Sequence, residues 1–440
     1  RSLVGSEMCI RDRKETFYTS AYRCFLSPFL FQDADGRFLE HDKSIGRAEG
    51  FTNYTTFSLW DTYRAYHPLL NLIRQDMSAD IANSMLRHYD RSVEHMLPIW
   101  SFYGNETWCM IGYHGVSVVG DALDKGIGID RRTALEAMVR SANCDYYDAT
   151  GVYKRLGYVP CDVKSTGSSM TLEYAYDDWA IARMAEALGC NDTAREYYRR
   201  ALNYVNVFDG STRFFRGRRS DGGWTTPFEE FATGRDYTEA TPWHYRFFAP
   251  HDINGLEQLF GGRTPFVDEL DRLFTLTSEE MQLDVADVTG LMGQYAHGNE
   301  PSHHVAYLYT LTGQPSKTAD RVRQILTTLY HDRPDGICGN EDVGQMSAWY
   351  VLSALGMYQV EPAGGRYVFG SPLVEGAVLR VPGGEFVIEA RNNSAENRYI
   401  RRVTLNGADC RKPYIEYDDI MSGGHLVFEM GPEPADWIRE

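Results

Sequence analysis

The chain has 440 residues, of which 43% are hydrophobic and 24% are charged, and its formal net charge is -17. These proportions are typical of a globular protein with a large core and exclude an intrinsically disordered chain. The negative charge argues against nucleic acid or an anionic membrane as a partner, because both need a basic face. No run of about eighteen apolar residues is present, so the sequence predicts no transmembrane segment.

The start of the sequence differs in character from the rest. Position 1 is not Met, and Arg1 to Arg13 shows no helical period that continues into the next segment. We interpret residues 1–13 as a non-native leader. No positively charged and then apolar stretch marks a signal peptide, and the eight scattered cysteines form no CxxC pair, which predicts buried thiols rather than a disulfide framework.

Helical periodicity begins at Phe17 and recurs in about twelve segments as far as Gly356. Short turns alternate with long, polar, glycine-rich loops between these segments. This alternation predicts a mainly α protein in which residues 14–360 form an (α/α)6 barrel, six helical hairpins closed into a toroid with the long loops at one end. The predicted helices cover 17–28, 54–73, 79–96, 115–124, 131–143, 171–188, 193–208, 252–260, 264–274, 302–311, 315–330 and 343–356.

The periodicity changes to two from Tyr367 onward, which predicts strands near 378–381, 385–390, 399–405 and 426–430. A β segment of this size, over residues 361–440, is too rich in edges to be stable alone. We therefore expect it to pack against a part of the protein outside this sequence.

A polar stretch, GQYAHGNEPSHH, lies between two helical segments at Gly293 to His304. Pro301 and Ser302 suit the first turn of a helix, which places Asn299 and Glu300 at its N-terminus. Carboxylate and amide oxygens there suit a hard cation or a sugar hydroxyl. The simpler alternative is that Asn299 only caps the helix.

The histidines of the same stretch allow two interpretations. They could hydrogen-bond within the core, or His297, His303 and His304 could bind zinc. The zinc site is the weaker of the two, because no Cys and no short paired-His spacing supports it.

Two carboxylates suit the hydrolysis of a glycosidic bond, which needs a proton donor and a base or nucleophile. Glu239 has apolar neighbours, which would raise its pKa and keep it protonated. Asp342 lies among polar residues at the start of a helix, where the ionised form is favoured. In the alternative interpretation Glu341 and Asp342 are ordinary first-turn residues and Glu239 is an ion-pair partner in a loop.

Two further acidic positions are less specific. Trp60 and Asp61 could hold a sugar by stacking and hydrogen bonding, although a Trp on a helix is more often a core residue. Asp177 and Asp178 are predicted to lie on a solvated helical face.

Seven ordered motifs resemble glycoside hydrolase family 92, the calcium-dependent, exo-acting α-mannosidases of bacteria. The resemblance covers about Phe17 to Met430. The motifs are NYTTFSLWDTYRAYHPL (53–69), GNETWCMIGYHG (104–115), TLEYAYDDWAIA (171–182), YTEATPWHY (237–245), GQYAHGNEPSHHVAYLY (293–309), GNEDVGQMSAWYVLSALGMY (339–358) and FGSPL (369–373).

The resemblance implies an N-terminal β-sandwich before the (α/α)6 barrel, with an inverting active site between them. It implies that Glu239 is the catalytic acid and Asp342 the base, and that Asn299 and Glu300 lie near Ca²⁺, which engages the sugar hydroxyls. It also implies that substrate contacts come from residues in the same motifs: Trp60, Asp61, Trp243, His303 and Glu341.

The sequence departs from the family pattern in three places. Ala240 and Thr241 follow Glu239 where the family often has Gly and Asn, and Asn340 stands where some members have an acid. The β-sandwich is absent, so we interpret the chain as a catalytic fragment onto whose missing domain the β segment would pack. The resemblance implies a periplasmic, cell-surface or secreted protein. The alternatives are an (α/α)6 glycosidase for another sugar and a non-catalytic glycan-binding remnant.

An inverting mechanism also predicts a distance. A water molecule must fit between the base and the anomeric carbon, so the carboxyl groups of Glu239 and Asp342 should lie roughly 6.5–9.5 Å apart.

Overall fold

Helices are the main regular structure before residue 355, and many of them lie where the sequence predicts. In the computed structural model, which describes residues 3–7, 11–277 and 288–438, segments predicted as 115–124 and 131–143 are helices at Gly115–Asp124 and Arg131–Ser141. The other α-helices are Arg11–Arg23, Leu59–Thr62, Tyr66–Ile73, Gln75–Arg91, Thr150–Leu156, Gly167–Ala187, Asn191–Ala201, Pro242–Tyr245, Ile253–Leu259, Arg263–Thr275, Leu308–Leu311, Pro315–Thr328, Gln345–Ala354 and Tyr417–Met421. Shorter 3-10 turns are Leu202–Val207, Glu300–Ser302 and Val305–Tyr307.

The predicted helix over 54–73 is interrupted. Its first residues form the strand Tyr54–Thr55, and two separate helices follow at Leu59–Thr62 and Tyr66–Ile73. The backbone N–H groups of Ala65 and Tyr66 donate to the Gln345 side-chain oxygen at 2.9 and 3.1 Å. This distant side chain replaces the local helical acceptors, so the break is not visible in the local pattern.

The predicted antiparallel hairpin at 171–208 is present. Gly167–Ala187 ends before Gly189, whose φ is 74°, and Asn191–Ala201 follows directly. Asp177 and Asp178 are fully buried on the first helix, so the prediction that they lie on a solvated face is wrong. Cations from other elements neutralise them, as described below.

Strands form a six-stranded sheet at the C-terminal end of the chain. Its neighbours are antiparallel except for Gly384–Arg391 and Gly424–Gly431, which run parallel. The spatial order is Leu3–Glu7, Gly376–Val381, Gly384–Arg391, Gly424–Gly431, Tyr399–Leu405 and Ala408–Asp409. The segment predicted as a leader thus contains the edge strand Leu3–Glu7, and the first helix begins at Arg11 rather than Phe17.

Smaller sheets connect the remaining loops. A three-stranded sheet joins Met357–Tyr358, Arg366–Phe369 and Tyr414–Glu416. Two-stranded pairs are Phe29–Leu30 with Tyr54–Thr55, Arg37–Leu39 with Ile45–Arg47, Ser101–Phe102 with Asn105–Glu106, Phe208–Asp209 with Phe214–Phe215, and Leu291–Met292 with Tyr295–Ala296.

The C-terminal sheet packs on the helices and shares one hydrophobic core with them. Segments that flank the sheet also bond to the helices: the Arg323 side chain, on Pro315–Thr328, donates to the Ser371 hydroxyl at 2.9 Å, and the Tyr417 hydroxyl donates to the Asn71 carbonyl at 3.1 Å. The sheet therefore gains part of its support within the chain. Its packing on a further domain stays a prediction.

Across residues 3–7, 11–277 and 288–438, none of the helices has the length and the apolar run needed to cross a bilayer.

Candidate active site

Three carboxylates from distant parts of the sequence meet in one buried cluster. One oxygen from each of Asp61, Glu300 and Asp342 lies within 4.8 Å of the other two. Asp61 belongs to Leu59–Thr62, whereas Glu300 and Asp342 precede or begin helical turns in the later loops. We call these three residues the carboxylate cluster.

Burial raises the pKa of Asp61 well above its ordinary value, and the negative charges of Asp342 and Glu239 add to this effect. Burial likewise raises the pKa of Glu300, with Asp61 and Asp342 contributing. Like charges this close in a desolvated site cannot all stay ionised without a counter-charge. The Ser58 hydroxyl and the Arg64 charge lower the pKa of Asp61 without cancelling this rise, so the cluster is suited to hold protons or a cation.

One buried oxygen of the cluster and one beside it are suited to a cation. Among the described residues, neither Glu300 Oε1 nor Asn299 Oδ1 has a hydrogen-bond partner. Every donor atom here is oxygen, which suits a hard cation such as Ca²⁺. The residues predicted near the metal therefore fit such a group, and Asp61, predicted as a sugar ligand, lies with them.

Glu239 is attached to the same site through its backbone. The Asn299 side-chain amide donates to the Glu239 carbonyl at 2.5 Å. Glu239 has φ 51°, and Asp342 begins a run of three residues in the left-handed region, with φ 49°, 58° and 94°. Such backbone conformations are uncommon outside glycine and cluster at functional sites.

Four other residues predicted to bind substrate support the site from positions beneath or beside it. Trp60 is buried and its indole N–H donates to Glu173 at 3.1 Å. Trp243 is buried beneath the Arg246 guanidinium, which lies 4.4 Å from its ring centroid. Direct contact with substrate stays a prediction for these two tryptophans.

The other two of these residues, His303 and Glu341, form hydrogen bonds within the protein through their polar atoms. His303 is buried and its imidazole contacts the Gln345 side chain and the His297 carbonyl, both at 2.9 Å. Glu341 accepts from the Ser347 N–H at 3.0 Å and from its hydroxyl at 2.8 Å, within the first turn of Gln345–Ala354. Glu341 thus lies before the helix and accepts from its first turn, rather than belonging to that turn as in the alternative interpretation, and substrate contact stays a prediction for both.

The histidines of the Gly293 to His304 stretch hydrogen-bond within the core. The two ring nitrogens of His297 contact the hydroxyls of Tyr295 and Tyr330 at 2.8 and 2.7 Å, and His304 contacts the Phe247 carbonyl at 3.1 Å. No grouping of metal-ligating side chains among the described residues includes a histidine. These contacts favour the core interpretation over zinc.

A second charged network lies beneath Trp60, and sequence reasoning missed it. Glu173 Oε1 accepts from Arg64 and from the Tyr245 hydroxyl, both at 3.0 Å, and Glu173 Oε2 lies 3.3 Å from His114. The other imidazole nitrogen of His114 lies 2.9 Å from Asp177. The sequence signal for this network is that Glu173 and Asp177 lie four residues apart on a helix, Gly167–Ala187, whose other residues are mostly apolar or aromatic.

Burial and charge pairing together determine the protonation of this network, and burial raises the pKa of Asp178 to about 6 despite its partners. Burial alone would lower the pKa of His114, but Asp177 and Glu173 outweigh it and raise the pKa to about 9. Asp178 is paired as well, with Arg200 at 2.8 Å and the Tyr153 hydroxyl at 2.8 Å. We call Glu173, Asp177 and Asp178 with their partners the paired network.

A cavity of about 740 Å³ borders the site at Glu239. It opens beside the loop that carries Trp108 and the loop that carries Tyr146.

Comparison with known proteins identifies the family of this chain. Residues 6–432 match the glycosyl hydrolase family 92 catalytic domain. The family GH92 α-mannosidase BT3965 from Bacteroides thetaiotaomicron, solved in complex with mannoimidazole, is 46% identical over 99% of this chain and 58% of that chain, with a TM-score of 0.94. The inverting GH92 mannosidase BT2199 from the same organism is 36% identical over 98% and 61%, with a TM-score of 0.89.

A curated relative described as an uncharacterized secreted glycosidase, from Arthroderma benhamiae, is 26% identical over 96% of this chain and 54% of its own length. The chain thus spans between half and two thirds of the length of these relatives. The profile match and the two solved structures cover nearly the whole chain. The chain belongs to glycoside hydrolase family 92.

Proposed function

We propose that this chain is the catalytic part of an inverting, exo-acting, calcium-dependent α-mannosidase. The observation that carries the proposal is the buried carboxylate cluster of Asp61, Glu300 and Asp342, next to which the Asn299 amide donates to the Glu239 carbonyl. The proposal is supported by solved relatives that are α-mannosidases, one described as inverting and one holding mannoimidazole.

In the proposed reaction Glu239 donates its proton to the glycosidic oxygen as that oxygen leaves the anomeric carbon. Asp342 accepts a proton from a water molecule, whose oxygen attacks the anomeric carbon from the opposite face. One C–O bond breaks and one forms, and the released sugar has the inverted configuration. This proposal keeps the expected separation of roughly 6.5–9.5 Å between the two carboxyl groups.

We assign the calcium ion to Asn299 and Glu300, with the carboxylates of Asp61 and Asp342 beside them. When bound, the ion would supply a positive charge that engages sugar hydroxyls and offsets the negative charge of the cluster. Asp342 has two carboxylate oxygens, so contact with the ion through one is compatible with proton acceptance through the other. Trp60 and Asp61 would hold the terminal mannose.

The remaining parts of the proposal concern the whole protein. The helices would form the six hairpins of an (α/α)6 barrel, and the C-terminal sheet would pack on an N-terminal β-sandwich. A periplasmic, cell-surface or secreted location fits the relative described as secreted.

Product analysis with the natural full-length protein tests the proposal. Aryl α-mannoside and aryl α-glucoside are compared as substrates, and ¹H NMR records the anomer of the sugar that forms first. We expect mannose release with β-mannose appearing first. Preferential cleavage of the glucoside, or α-mannose as the first product, would contradict the proposal.

A further inference from the structure

A second cavity lies between the helical hairpin at 167–201 and the three-stranded sheet. Its volume is about 460 Å³, within the range of about 300–1,000 Å³ that is typical of small-ligand sites. We propose that this cavity binds a neutral sugar of hexose size, at a site distinct from the one that cleaves the glycosidic bond. The proposal goes beyond the proposed function and does not depend on the roles assigned to Glu239 and Asp342.

The cavity lies toward the far end of the helix that supports the carboxylate site. Glu173, on Gly167–Ala187, accepts from the indole of Trp60. Trp179 and Arg183 line the cavity from the same helix. At 1.5 Å per residue, Arg183 lies about 15 Å farther along the helix axis than Glu173. None of the described residues that line the cavity belongs to the carboxylate cluster or to the paired network, so a ligand here would not touch the reacting atoms.

Two buried polar atoms of the lining have no hydrogen-bond partner among the described residues. They are Arg183 Nε, a donor, and His251 Nδ1. The other ring nitrogen of His251 lies 3.0 Å from the Ala201 carbonyl and donates to it, so Nδ1 is an acceptor. Burial lowers the pKa of His251 to about 4, which keeps the ring neutral near pH 7. Buried polar atoms are rarely left unpaired, and hydroxyl groups, which both donate and accept, would satisfy the two.

The charged side chains of the described lining balance one another. They are two arginines and two glutamates. Arg366 forms an ion pair with Glu361, and Arg183 lies 3.5 Å from Asp124. Glu416 caps the short helix that follows it. Because each of these charges has a partner within the protein, the lining favours a neutral polar ligand over an ion.

Aromatic side chains distinguish a sugar from water as the occupant. Trp179, Tyr198 and Tyr414 line the cavity, and the ring centroid of Trp179 lies 6.1 Å from that of His251. A pyranose presents hydroxyls at its edge and C–H groups on its faces, and these faces pack against aromatic rings. Water molecules would pair the polar atoms but make no use of the aromatic surface. The combination therefore matches a sugar.

Hydrogen–deuterium exchange on the natural full-length protein tests binding at this cavity. Three of the residues in the segment 361–366 line it, and mass spectrometry follows the exchange of this segment during titration with D-mannose. We expect the exchange to slow. Arg183→Gln should raise the Kd read from this slowing by about tenfold or more, because a hydrogen bond from a charged donor is lost. Tyr414→Ala, which removes an aromatic ring from the lining, should raise the Kd as well.

A second ligand identifies the source of the sugar. Methyl 1-thio-α-D-mannoside resists hydrolysis and carries a substituent at its anomeric carbon, as the end unit of a glycan does. Slower exchange with both ligands would support the end of a glycan as the occupant. Slower exchange with D-mannose alone would support a free monosaccharide.

Arg398→Gln is the matched control. The Arg398 side chain is 38% exposed and pairs with Asp320, and the Arg183 side chain is 35% exposed and pairs with Asp124, but Arg398 does not line the cavity. Its replacement should leave the Kd unchanged. Mannosidase activity of Arg183→Gln should stay within about twofold of wild type, because the two sites are far apart. Unchanged exchange of 361–366 with both sugars, or a Kd unaltered in both Arg183→Gln and Tyr414→Ala, would overturn the proposal.

Discussion

The carboxylate cluster and the paired network are both buried and acidic, yet they differ in how their charge is balanced. In the paired network each acid has a cation in reach: Arg64 or His114 for Glu173, His114 for Asp177, and Arg200 for Asp178. In the cluster, by contrast, Asp61, Glu300 and Asp342 lie next to one another, so the neighbours of each acid include two further acids. Buried charges are retained when paired, so the network is balanced within the fold. Arg64 offsets the charge of the cluster only in part, which fits our proposal that the cluster takes an added cation.

Removal of calcium should produce the largest difference between the two regions. We expect chelation followed by dialysis to abolish mannosidase activity, because the cluster loses its counter-charge. Added Ca²⁺ should restore activity and Zn²⁺ should not, since the donors are oxygens. Mannose release measured before and after each addition checks this. Full activity in excess EDTA would remove the cation from the account.

Asp342→Asn should separate activity from stability. Loss of the proposed base is expected to lower kcat by about 10²- to 10⁴-fold. The midpoint of thermal unfolding should not fall, because one of three mutually repelling carboxylates is removed. Steady-state kinetics and calorimetry on the same preparation measure both quantities. An active variant, or one that unfolds at a much lower temperature, would place Asp342 with the structural acids.

Glu173→Gln should show the opposite pattern. The substitution leaves Arg64 and His114 without a buried anion that both contact. Breaking a buried charge pair in this way costs about 3–5 kcal/mol of unfolding free energy. Denaturant unfolding of Glu173→Gln and Asp342→Asn side by side measures the contrast. Similar stability of the two variants would contradict the distinction between the regions.

His114 predicts a smaller, pH-dependent effect. Its pKa of about 9 in the folded protein lies above the ordinary value of 6.5, so the folded state binds the proton more tightly. The stabilisation is complete below about pH 6.5 and is lost as the pH rises through 9. Its size is on the order of 3 kcal/mol. Unfolding free energies from pH 6 to 10 should fall for the wild type, and His114→Gln should remove this part of the decline.

Local signals in the sequence were sufficient for most of the fold. The period of two at 399–405 and the helical period at 115–124 gave segments whose bounds match the structure at both ends. Prediction failed where a partner came from elsewhere in the chain. Gln345 breaks the helix expected over 54–73, and Arg200 makes burial of Asp178 possible. Neither partner is visible in a local window.

For the site, the sequence could predict candidate residues but not which of them lie together in the fold. The motifs predicted roles for Glu239, Asn299, Glu300 and Asp342, whose residue types and context suit the chemistry, and these roles stay predictions. The grouping of Asp61 with Glu300 and Asp342 depends on how distant loops meet in the fold. The anchoring of Trp60 on Glu173 depends on a helix more than a hundred residues away. These relations are tertiary, so a sequence pattern cannot supply them.

Calcium binding followed by isothermal titration calorimetry tests the central claim most directly. Wild type, Glu300→Gln and the neighbouring control Glu341→Gln, all freed of metal, are titrated under identical conditions. The account predicts one Ca²⁺ site in the wild type and in Glu341→Gln, whose carboxylate caps a helix, and greatly weakened binding in Glu300→Gln. An absence of binding in the wild type, or unchanged binding in Glu300→Gln, would contradict it.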